Sequence, residues 1–159
     1  MSLKGLSDKE LVEQTLEQEQ RLVFNEFGLD LAHQVGLELL NRGKDGTLPI
    51  AFDVTRNGQC VFHCALHGAT QDNAAWIQRK NNVVNRFGHS SLHMGAACRL
   101  SGMSIEEKFH LPPNQFADHG GGFPIHVRGA GIIGTVTVSG LPQIDDHELV
   151  VSVLEMFLD

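Results

Sequence analysis

No apolar run in the 159-residue chain approaches the roughly 20 residues needed to cross a bilayer, which excludes a transmembrane helix. The first residues, MSLKGLSDKE, contain no apolar stretch of signal-peptide type, so the expected location is cytoplasmic. Residues 1–6 are expected to be disordered or a cloning remnant without a role in the fold. Cysteine is scarce: Cys60, Cys64 and Cys98 are odd in number and form no disulfide framework. On a strand, Cys60 and Cys64 would stand about 13 Å apart at about 3.3 Å per residue, beyond disulfide reach. Basic charge is scarce too. Twelve Lys and Arg against 19 Asp and Glu give a net charge of -7, which argues against a nucleic-acid surface. Repeats, low-complexity tracts and linkers are missing, leaving one domain, residues 7–158, long enough to bury a core unaided.

Familiar catalytic signatures are missing as well. Ser90 and Ser91 have no G-x-S-x-G elbow around them and read as helix caps. The glycine triplet 120–122 is followed by neither Gly-Lys-Ser/Thr nor a helix, so it is not a phosphate loop. Neither C-x-x-C nor H-E-x-x-H spacing occurs.

What is present centres on residues 120–141, GGGFPIHVRGAGIIGTVTVSGL. Residues 123–127 and the β-branched run 132–138 predict two strands joined by a glycine-bearing turn. A second hairpin is predicted over 48–65, because Asn57-Gly58 suits the positive φ angles of a type I′ turn. The S-x-x-E box at Ser7–Glu10 opens a helix over 8–20, and 22–27 alternates as a short strand, with an extension of that helix as the alternative. Further helices are predicted over 30–41, capped by Asp30 and ended by Gly43, and over 72–87, ended by Gly88. Shorter helices follow over 92–100 and 105–109, and a last one over 148–158, capped by Asp145 or Asp146, with His147 exposed in that turn. Hairpins rather than β-α-β crossovers dominate, which predicts an α+β fold with an antiparallel sheet.

Four groups of residues carry candidate chemistry. Arg79 and Arg86, seven apart on one helix face, can grip a carboxylate or phosphate beside the flat wall of Trp76, with Lys80 next to them. The competing reading makes Trp76 core and the charges a solvated face. Gly121 and Gly122 can bring backbone N–H groups to an anion, or form a plain bulge at a strand entrance. His89 and His93, four apart, can share a metal if they lie on one helix face, but spacing supplies no third ligand and no metal site is expected. Cys60, His63, Cys64 and His67 divide between the two faces of a strand, which argues against a zinc site.

Residues 49–54 (PIAFDV), 73–80 (NAAWIQRK), 86–91 (RFGHSS), 121–125 (GGFPI) and 134–141 (GTVTVSGL) together resemble uncharacterised protein family 0303. That family is a branch of the haem-degrading-domain superfamily of GlcG-like and HbpS-like proteins, and the likeness covers about 7–157. The resemblance implies a profilin-like, three-layer α/β/α arrangement with a central antiparallel sheet of about five strands, and homo-oligomerisation. It also implies haem as a candidate cofactor, although no residue here matches a haem ligand by motif.

The leading expectation is a cytoplasmic, oligomeric protein binding a small anionic or haem-like ligand through Trp76, Arg79, Lys80, Arg86, Ser90, Ser91, Gly121 and Gly122. Two alternatives stand beside it, a haem-degrading or redox enzyme and an oligomeric assembly module without a ligand. No catalytic residue is assigned. Neither nucleic acid nor membrane is an expected partner.

Overall fold

Capping chemistry sets the element boundaries in the computed structural model, which describes residues 2–158. Helix α1 (Asp8–Arg21) begins with the full box: Ser7 Oγ accepts from Glu10 N, and Glu10 Oε2 accepts from Ser7 N at 2.8 Å. Strand β1 (Val23–Phe24) and helix α2 (Leu29–Asp45) follow. Strands β2 (Ala51–Arg56) and β3 (Gln59–Ala65) turn at Asn57 and Gly58, with φ of 51° and 79°. Gly88 (φ 71°) ends α3 (Gln71–Phe87), and Ser90 caps α4 (Ser91–Ser101) by accepting from His93 N. Helix α5 (Ile105–Phe109), the hairpin β4 (Gly122–Val127) and β5 (Gly131–Ser139), and helix α6 (Gln143–Met156) complete the chain.

The five strands run in the order β1-β4-β5-β2-β3, antiparallel except for the parallel β1–β4 pair. The fold is α+β. Helices α2 and α6 cover one face, α3 lies on β5, β4 and β2 from the other, α4 packs against α3, and α1 packs against α4. This makes three layers. The period-2 alternation of β2 and β5 sends Phe52, Val54, Val136 and Val138 into the apolar layer with Val35, Leu39, Val150 and Leu154. The same alternation puts Asp53, Thr135, Thr137 and Ser139 under α3, all buried. A buried polar layer needs internal partners. Asn81 of α3 supplies them at the centre: its Nδ2 stands 3.4 Å from both oxygens of Asp53, and its Oδ1 accepts from Thr137 Oγ1.

Several expectations are corrected. Gly43 does not end α2, which runs on to Asp45. A Cβ at Gly36 would strike the Phe62 ring and one at Gly43 would strike Leu66, so both glycines let the helix lie close on β3. Nor is Asp30 the cap, a place held by Gly28 without a side-chain bond. Helix α6 starts at Gln143 after Pro142, so the caps assigned to Asp145 and Asp146 do not form. His147 consequently falls in the second turn, faces inward and is completely buried rather than exposed. Residues 2–6 pack on the domain, with Leu3 buried against the cluster of Leu11, Leu92 and Ala96, and Ser2 Oγ donating to Glu148 Oε1.

Candidate functional site

At the C-terminal end of β5, α3 and α6 bring opposite charges together out of water. Lys80 Nζ donates to Val138 O at 2.9 Å and to Asp146 Oδ2 at 3.1 Å, and Asp146 Oδ1 accepts from Leu141 N at 3.0 Å. Burial lowers the Lys80 pKa, against the pull of Asp146. Burial likewise pushes the Asp146 carboxyl up to about 6, although Lys80 and the backbone N–H groups of Leu141 and Gly140 draw it down. The pair therefore has its Asp146 carboxyl ionised above about pH 6. It lines a cavity of about 250 Å³ whose other walls include Trp76, Asn73, His119, Ser139 and Gln143. Trp76 meets His119 edge-on at 5.2 Å, and Asn73 Nδ2 donates to Ser139 Oγ at 3.2 Å.

Of the residues expected to share one pocket, Trp76 and Lys80 line this cavity. Arg79 and Arg86 point elsewhere. Arg79 stacks on Trp76, 4.7 Å from the ring centre, and donates to Pro113 O and Phe116 O, while exposed Arg86 sits over the Phe116 ring. The two arginines thus hold the loop around residues 112–116. Ser90 caps α4, and Ser91 Oγ accepts from Gly122 N at 2.9 Å, anchoring the start of β4. The glycine triplet has two of its three N–H groups engaged, Gly120 N donating to Gln143 Oε1 and Gly122 N to Ser91 Oγ. Its role is space. Gly121 has φ of 134°, and a Cβ there would strike Val138 O and come 2.7 Å from Lys80 Nζ. Asp146, Asn73, His119 and Gln143 were not anticipated at the site. Asp146 had a signal, since it precedes buried Val150 by four residues, one helical turn.

His89 and His93 do come together, their rings stacked 4.4 Å apart, and the third group that spacing left open arrives from α1. Glu19 Oε2 lies 2.7 Å from His89 Nδ1, and Glu19 Oε1 accepts from Ser90 N at 2.7 Å. Ligand atoms of the three lie within 4.8 Å of one another. No such group forms among Cys60, His63, Cys64 and His67. A wider hollow of about 990 Å³, open to solvent, lies at the other end of β5 beside Phe27, Arg56 and Ile133. Arg56 Nε there already donates to Phe27 O.

A three-layer α+β domain with a cavity at the end of its central strand is the architecture these elements define, and the fold is shared. Residues 27–155 match the family described as haem degrading protein HbpS-like, and the chain belongs to that family. A UPF0303 protein of Streptomyces coelicolor is 48% identical over 142 residues, covering 89% of this chain and 90% of the relative. The crystal structure of Ybr137w protein superposes with a TM-score of 0.84 at 35% identity, covering 92% of this chain and 86% of that one. The haem complex of PduOC shares the fold, with a TM-score of 0.65 at 15% identity over 77% of this chain and 88% of that one. Haem does not fit the Lys80 cavity. Its 250 Å³ is below the roughly 300–1,000 Å³ of sites for drug-sized ligands, and its walls carry Lys80, Asp146, Asn73 and Gln143.

Proposed function

We propose that the chain is a cytoplasmic, homo-oligomeric binding protein for a small anionic molecule, a carboxylate in the first place, held in the Lys80 cavity. The observation that carries this is the unequal count at Lys80. Its ammonium group has three N–H donors, and two of them serve Val138 O and Asp146 Oδ2. The third is available to an acceptor in the cavity, beside the apolar face of Trp76. Arg79, Arg86, Ser90, Ser91, Gly121 and Gly122 support the site from behind: they fix the 112–116 loop, the start of α4 and the close approach of the glycine loop to Lys80. Asp146 balances the ammonium charge, so affinity comes from hydrogen bonds and shape, and ligands with a hydroxyl or amide for Ser139 or Asn73 bind best. Oligomerisation is supported by the uncovered edge of β3 and by exposed Leu29, Leu37 and Ile132.

Trp76 is the single tryptophan and stands on the cavity wall, so its emission is a built-in reporter. Titration with lactate, succinate, acetate and inorganic phosphate is expected to give a saturable change with at least one carboxylate. Gln143→Met and Asn73→Leu should weaken it. No response to any of the four up to tens of millimolar refutes the reading. Sedimentation equilibrium tests the oligomer, and a monomer at all concentrations removes that part.

A further inference from the structure

We propose that Glu19, His89 and His93 form a binding site for one divalent transition-metal ion of the zinc or iron(II) kind. Two imidazoles and a carboxylate, with an open side for water, are an N/O donor set that such ions take. The site shares no residue with the Lys80 cavity.

Hydrogen bonds fix which atoms are free. Thr15 has one hydroxyl proton, and its Oγ1 lies 2.7 Å from Leu11 O, where it donates along the helix. That hydroxyl therefore accepts in its 2.8 Å contact with His93 Nδ1, so the ring carries its proton on Nδ1 and keeps a lone pair on Nε2. A ring N–H held by a neighbouring oxygen while the other nitrogen stays bare is how metal-ligating histidines are oriented. The His93 ring is itself buried.

Glu19 is only 9% exposed and is clamped by Ser90 N through one oxygen, leaving the other for His89. Buried carboxylates of this kind are paired or bind metals. His89 lies against His93 with 22° between the rings, a contact that two imidazolium ions would resist. A metal ion resolves this. It takes the place of the proton shared by His89 and Glu19 and lets both rings stay neutral. The ligand atoms all lie within 4.8 Å of one another, against about 4.2 Å across two metal bonds of about 2.1 Å. His89, with 37% of its side chain exposed, has room to adjust and gives the ion a route from solvent.

The test is equilibrium dialysis and titration calorimetry of the untagged full chain with Co²⁺, Zn²⁺ and, anaerobically, Fe²⁺. One ion per chain is expected, with Co²⁺ developing visible absorption of a nitrogen-bound ion and Zn²⁺ raising the unfolding temperature. His89→Asn and His93→Asn should each abolish stoichiometric binding at micromolar metal, Glu19→Gln should weaken it at least 10- to 100-fold, and exposed His67→Asn should change nothing. His89→Asn, at the half-exposed position, keeps the test valid if His93→Asn fails to fold. The proposal is overturned if none of the three ions binds stoichiometrically at micromolar concentration. Binding that survives His89→Asn and Glu19→Gln in natively folded protein, or that falls equally in His67→Asn, overturns it as well.

Discussion

Lys80 Nζ and Asp146 Oδ2 stand 3.1 Å apart with side chains 3% and 2% exposed, a buried ion pair that ties α3 to α6 across the end of β5. Breaking such a pair leaves one uncompensated charge, which costs about 3–5 kcal/mol, whereas replacing both partners by apolar groups costs far less. Lys80→Met is therefore expected to lower unfolding free energy by that amount at pH 7. Lys80→Met combined with Asp146→Leu should be less damaging than Lys80→Met alone, as measured by urea denaturation. A double variant that loses the sum of the two single effects would show that the pair does not act as a unit.

Gly121 is expected to be irreplaceable for the same reason. Its φ of 134° lies outside the range of L side chains, and a Cβ would press on Val138 O and Lys80 Nζ. Gly121→Ala should cost about 3 kcal/mol or more, since strained backbone alone is worth about 1–3 kcal/mol. Gly129, in the β4–β5 turn with φ of 80° and nothing within 4 Å of a Cβ, isolates the backbone part. Gly129→Ala should cost only about 1–2 kcal/mol in the same urea series.

The hairpins, α1 and the glycine stops after α3 and α4 were legible because their determinants are local: a capping box, an Asn-Gly turn and left-handed glycines at 88 and 102. The site was half legible. Trp76 and Lys80 could be placed on one side of a helix by spacing, but the choice between core, surface and cavity for each depends on which strand lies beneath. Arg79 was read as a ligand clamp because its partners, the carbonyls of Pro113 and Phe116, belong to a loop more than thirty residues away. Glu19 was invisible as a partner of His89 for the same reason, seventy residues apart. His147 was misplaced through a local error. An aspartate was preferred as cap, whereas the stripe His147, Val150, Val151, Leu154 already has helical spacing and is the better guide.

His147 yields an acid-side prediction. Its Nε2 lies 2.7 Å from Gln18 Oε1 and donates to it, Nδ1 has no partner, and burial pushes the pKa down to about 3. A histidine depressed from its ordinary value of 6.5 binds its proton more readily when unfolded, so its stabilising contribution is present above pH 6.5 and is lost as pH falls toward 3. His147→Met should flatten the loss of stability between pH 6.5 and 4. The check is urea unfolding of parent and variant at each pH, and parallel curves would count against the assignment.

Asp53 acts with the opposite sign in an overlapping window. Burial under α3 raises its carboxyl to about 6, against the opposing hydrogen bond from Asn81. A folded-state value above the ordinary 3.8 means that the folded protein holds the proton more tightly, so Asp53 costs nothing below pH 3.8. The cost grows as pH rises and is complete above about pH 6. Asn at this position has nearly the same shape, keeps an oxygen for Asn81 Nδ2 and never ionises. Asp53→Asn should therefore match the parent near pH 4 and exceed it by about 2–3 kcal/mol at pH 7, taking about 1.4 kcal/mol per pKa unit. Because His147 tilts the parent curve the other way, the quantity to measure is the difference between variant and parent at each pH, not either curve alone. A difference that stays flat from pH 4 to 7 would mean that the Asp53 carboxyl titrates alike in the folded and unfolded chains.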